Sequence, residues 1–164
     1  MKIRRRARIT ALQALFEVDT VHHDPELSLQ ARLEEAPLPA QGLAFAHSLL
    51  YGVLQHLAML DSVIQEIAPE WPIEQMAPVD RNILRISAYE IIFDNSTPPK
   101  VAINEAVELA KLFGSDSSSR FINGVLGTLL AQKPRLLSEV GVKTNESSGK
   151  DVQLTDKEPL PPRG

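Results

Sequence analysis

The chain has 164 residues, 43% of them hydrophobic, with a formal net charge of −4: enough apolar residues for one ordinary domain with a core, and no bulk positive charge to announce a polyanion ligand. Cysteine is absent, which excludes a disulfide framework, a thiolate metal site and a cysteine nucleophile, and suits a cytoplasmic protein. No apolar run approaches the roughly 18 residues of a membrane helix, and the opening segment, broken by Thr10, Gln13 and Glu17, reads as mature protein rather than a signal peptide.

Helical spacing recurs along the chain and strand-like alternation does not. Ala7, Ala11, Ala14, Leu15 and Val18 share one face of a first helix, which His22-His23-Asp24-Pro25 ends. A weaker helix is expected from Pro25 to Glu35, bounded by Pro37 and Pro39. Phe45, Leu49, Val53, Leu57, Leu60, Ile64 and Ile67 follow in steps of three and four. They predict one long stripe that stops near Pro69. Pro78 to Asp94 is the next predicted helix, with Ile83, Ile86 and Ile91 inward. Asn95-Ser96-Thr97-Pro98-Pro99 is a loop, and Ile103, Ala106, Val107 and Ala110 form a helix closed by Lys111 and Gly114. Ser115, Asp116 and Ser117 offer caps for a last helix carrying Phe121, Val125 and Leu129. After Pro134 the periodicity fades, and residues from about Glu139 onward are polar and charge-balanced. The expected organisation is a helical domain over 1–134 and a disordered tail over 135–164.

Charge distribution says more than net charge. Lys2, Arg4, Arg5, Arg6 and Arg8 all precede the first acid, Glu17. Guanidinium groups are planar, permanently charged and able to grip phosphate with two parallel hydrogen bonds. Basic residues at a helix N-terminus oppose its dipole, so their placement there points to a use beyond folding. A merely solvated, solubilising end is the alternative that composition leaves open. Phe16 lies two turns beyond Arg8, and Phe121 follows Arg120. Each ring could stack on a base or belong to the core. Trp71, set between two prolines, is expected at the joint between helical groups.

Catalytic patterns are poor. His47 and His56 lack metal-ligand spacing, His22 and His23 are adjacent, and neither a glycine-rich phosphate loop nor a Ser-His-Asp set can be proposed. Glu105 and Glu108 lie one turn apart and could bind a metal, but a solvated face beside Lys111 is the plainer reading. No enzyme, cofactor or metal is expected.

Three stretches carry a resemblance. Arg4-Arg5-Arg6-Ala7-Arg8 with Ala11-Leu12-Gln13-Ala14-Leu15-Phe16 resembles the opening helix of the NusB transcription-antitermination family. Asp80 to Glu90 resembles its central helix, and Lys100 to Lys111 with Arg120 to Leu126 is the most specific part. The likeness runs from about Arg4 to Leu130.

The resemblance implies an all-α fold of two small packed helical bundles, about seven helices in all, without catalysis. It implies binding of boxA-type single-stranded RNA in nascent ribosomal RNA transcripts together with NusE, a small-subunit ribosomal protein that doubles as an elongation factor. RNA polymerase is then reached indirectly and reads through terminators. Carried over residue by residue, the RNA surface is Arg4, Arg5, Arg6, Arg8, Phe16, Arg120 and Phe121. Asp80 and Ser117 are weaker candidates for an RNA or partner surface, a salt bridge within the bundle being the alternative for Asp80. Where the family often has an acid before Ser-x-x-Phe, this chain has Ser117, with Asp116 one place earlier. A NusB-like domain also occurs fused to RNA cytosine methyltransferases, but this chain leaves no room for a methyl-donor domain. A homodimer through the same face is compatible with the sequence. A protein-only helical scaffold with solvated arginines is the competing reading.

Overall fold

The computed structural model describes residues 2–140. Seven α-helices and one 3-10 turn, with no strand among the described residues, build two bundles. The first holds α1 (Ile3–Val21), α2 (Pro25–Glu35) and α3 (Ala40–Gln55); the second holds α4 (Leu57–Ile67), α5 (Pro78–Ile92), α6 (Pro99–Phe113) and α7 (Ser118–Val140). Helix α5 packs on α1 and α3 on one side and on α4, α6 and α7 on the other, so the bundles share one core. Ala7, Ala11, Ala14 and Leu15 are buried on α1, as their spacing predicts.

Local chemistry sets the boundaries. His22 adopts φ 58° and closes α1 in the left-handed conformation. Asp24 then caps α2, its carboxylate accepting from the Leu27 N–H at 3.1 Å, with Pro25 in the first helical turn. Pro98 and Pro99 start α6, where missing N–H donors cost nothing.

Two expectations need correction. The stripe from Phe45 to Ile67 is two helices, not one: α3 and α4 meet at His56 and bend by 77°. Apolar steps of three and four continue through the break, so the pattern alone does not reveal it. At the bend the His56 N–H is shared between the Gly52 and Val53 carbonyls at 3.2 Å each. The Tyr89 ring lies against Gly52 so closely that a Cβ there would fall 2.3 Å from Tyr89 Cζ. The second correction concerns the domain edge at 134. Helix α7 passes through Pro134 to Val140, and Leu136 and Leu137 are buried. One missing N–H does not end a helix whose next turn still has core to cover. The rest of the expected tail lies outside the described residues.

Among the described residues no single helix is long and apolar enough to cross a membrane.

Candidate nucleic-acid interface

The first turns of α1 bring the basic residues to the loop between α5 and α6. Lys2, Arg4 and Arg5 face Ser96, Thr97 and Pro98 across a cleft of about 280 Å³, with Val101 and Glu105 of α6 as its far wall. The four arginines have different surroundings. Arg4 is exposed; its Nη1 donates to Thr97 Oγ1 at 2.9 Å and its Nη2 to Ser96 Oγ at 3.2 Å. Its Cζ stands 4.0 Å from the centroid of the Phe45 ring. Arg5 is half-buried and forms a bidentate pair with Glu105, Nε to Oε1 and Nη2 to Oε2, both at 3.0 Å. Arg6 donates to the Pro37 carbonyl at 2.6 Å, tying α1 to the α2–α3 connection.

Arg8 departs from its expected role at the surface. It is only 3% exposed, with Nε and Nη2 on the two oxygens of the equally buried Glu90 at 2.8 and 2.7 Å. A group so enclosed is a brace between α1 and α5, not a phosphate contact. Glu105 stands 3.8 Å from Arg8 Nη1, so Arg5, Glu105, Arg8 and Glu90 form one chain of charge from solvent to core. This relieves the mismatch with the helix dipole: α5 and α6 supply the counter-charge. The hydrogen bonds from Arg5 outweigh burial and hold the Glu105 carboxyl below its ordinary range, while the same bonds raise the Arg5 guanidinium. Glu105 is thus a partner of arginine, and Glu108 pairs with Lys111 at 3.3 Å.

A second network lies at the other end of α1. Asp19 accepts from Arg81 at 2.7 Å, Asn82 at 2.9 Å and Arg85 at 3.3 Å, and Arg85 also clasps Asp61. Burial alone would raise the Asp19 carboxyl, but the bonds from Arg81 and Asn82 and the Arg85 charge hold it down.

The aromatic candidates sit elsewhere. Phe16 is 38% exposed and opens into a groove with Leu12, Val79 and Phe113. Phe121 is partly buried on the core, its ring edge-on to Trp71 at 5.8 Å. Trp71, expected to be packed at a joint, is 56% exposed. Arg120 and Ser117 are exposed, and the Ser117 carbonyl accepts from the Phe121 N–H at 3.1 Å in the first turn of α7. Asp80 lies in the first turn of α5, where its charge suits the helix dipole. Its Oδ1 is buried without a hydrogen-bond partner among the described residues. The predicted residues therefore divide among an arginine cleft at one end of α1, the groove that Phe16 shares with Phe113, and the Phe121–Trp71 ring pair.

Sequence reasoning missed Ser96, Thr97 and Phe45 as neighbours of the arginines. The loop at 95–99 and the stripe containing Phe45 were both legible, but only the fold brings them to Arg4. Trp71 was readable as an isolated aromatic, and its exposure was not.

The NusB family model matches residues 5–131. The transcription antitermination protein NusB of Roseiflexus sp. (strain RS-1) is 51% identical over 132 residues, covering 79% of this chain and 93% of that protein. Among solved structures, T. maritima NusB is similar with a TM-score of 0.71 at 32% identity, covering 83% of this chain and 91% of that one. A structure of antitermination factors NusB and NusE in complex with dsRNA is similar with a TM-score of 0.71 at 28% identity, covering 77% of this chain and 95% of the matched chain.

Proposed function

The chain belongs to the NusB family, and on that footing we propose that it is an RNA-binding transcription antitermination factor acting together with NusE. The observation that carries this is the outward edge of α1. There Lys2, Arg4 and Arg5 stand over a cleft walled by the hydroxyls of Ser96 and Thr97, at the start of the segment from residue 5 to 131 that matches the family, with Arg6 beside them on the Pro37 carbonyl. Positive charge held in a cleft raises the local concentration of a polyanion and contacts its phosphates at a salt-dependent gain.

In this reading boxA-type RNA is captured at the arginine cleft, with Arg8 supporting the surface from beneath. Phe16, Arg120 and Phe121 extend the contact, and exposed Trp71 adds a second ring beside Phe121. Asp80 and Ser117 lie on the RNA or partner side of this region. NusE closes over a shared surface, and each ligand raises the affinity for the other through linked binding. The complex reaches the polymerase indirectly and favours continued elongation. The protein performs no catalysis, acts in the cytoplasm, and could pair with a second copy through the same face.

The experiment is a gel-shift titration with a short boxA-type RNA, with and without NusE. Binding that tightens when NusE is added supports the reading, and no binding in either arm sinks it. One observation favours a second reading, a protein-only scaffold: Arg5 and Arg8 are both neutralised by internal carboxylates. That reading expects NusE to bind and RNA to have no effect on it.

A further inference from the structure

The Arg4 guanidinium sits over the Phe45 ring. Its Cζ stands 4.0 Å from the ring centroid, and Phe45 is buried, so the side toward Phe45 is covered. Its two terminal nitrogens, the pair best suited to fork a phosphate, donate to Thr97 and Ser96. The residue is nonetheless exposed, and it borders two surface clefts. With Phe45 on one side and both terminal nitrogens tethered, the side of the guanidinium away from Phe45 is the one left for a ligand.

We infer that Arg4 is a base-stacking platform: one nucleobase of the bound RNA lies on its outer face and completes a stack of Phe45, guanidinium and base. The inference deepens the RNA-binding reading and rests on it. Guanidinium planes stack on bases much as aromatic rings do, and the contact tolerates any base because each has a π face. Phe45 supplies an electron-rich backing, and the hydroxyls of Ser96 and Thr97 stop the plane from turning. Arg5 differs: Glu105 holds its Nε–Nη2 edge, and its Nη1 has no hydrogen-bond partner among the described residues. The cluster thus divides its labour, with Arg5 meeting phosphate through a free edge and Arg4 meeting a base through a free face.

The test crosses Arg4→Lys with a short boxA-type RNA made abasic at one position at a time. Lysine keeps the charge and loses the plane. At one position the missing base should weaken wild-type binding by roughly 5- to 150-fold, the range of a single stacked base. The same lesion should cost Arg4→Lys little further. On intact RNA the variant should bind weaker by a comparable factor, with the same slope of log affinity against log salt. A 2-aminopurine at the sensitive position should be quenched by wild type and brighter with Arg4→Lys. Equal abasic costs in both proteins at every position, or equal quenching, overturns the stack while leaving RNA binding intact. Failure of the wild type to bind the intact RNA overturns the RNA reading itself.

Discussion

Arg8 and Glu90 form a closed bidentate pair, 2.7 and 2.8 Å long, between α1 and α5, with both side chains almost wholly removed from solvent. An arginine inside a run that looks like one basic patch is thus a structural member of the core.

Arg8→Ala leaves Glu90 as an uncompensated buried carboxylate, an outcome that typically costs about 3–5 kcal/mol. Urea unfolding should show that loss, while the salt slope of RNA binding stays near the wild-type value for whatever fraction remains folded. A normal unfolding midpoint with a flattened slope would return Arg8 to the RNA surface.

In the proposed reading Glu105, which holds Arg5 in a bidentate pair, competes with RNA phosphate for it. Replacing it by Gln keeps a hydrogen-bonding side chain and removes the charge, so Glu105→Gln should bind boxA-type RNA more tightly and with a steeper salt slope. Arg5→Ala should weaken binding and flatten the slope by roughly one. Filter binding across a salt series reads both, and an Arg5→Ala slope equal to wild type would remove Arg5 from the phosphate contacts.

Acid should destabilise the protein through Asp19 and Glu105. Both carboxyls lie below their ordinary values in the folded state, so the unfolded chain binds more protons and stability rises with pH. Their contribution is complete above the unfolded carboxylate range, about pH 4. It is lost as pH falls from there through the folded values. Thermal melts of Asp19→Asn should show a lower Tm at neutral pH and a smaller further drop on acidification. An unchanged acid dependence would mean that Asp19 contributes nothing to it.

Gly52→Ala places a methyl group where Tyr89 Cζ, Cε1 and the hydroxyl already lie within 2.5 Å. Overpacking of this kind costs about 1–3 kcal/mol, and a calorimetric melt should show it. Pairing the change with Tyr89→Leu should recover part of the loss if the ring is the cause.

Helix order and the inward faces of α1, α5 and α6 were legible because burial on one side of a helix writes a period of three and four into the sequence. The bend at His56 was not, because a stripe can keep its period while its axis turns. The end of α7 was hidden by Pro134, a residue that signals a stop although Leu136 and Leu137 still have a core to enter. The arginine run was readable as a cluster, but its division into inward Arg8, tethered Arg5 and ring-backed Arg4 depends on Glu90, Glu105 and Phe45, each more than thirty residues away in sequence.

The 77° corner between α3 and α4 has no linker residues beyond His56 itself. With α5 packed on α1 and α3 on one side and on α4 and α7 on the other, the arginine end of α1 and the Trp71–Phe121 rings are built on one shared core. In the proposed reading the fold then acts as a gauge: an RNA that touches both places must match the span between them, and one too short can satisfy only one.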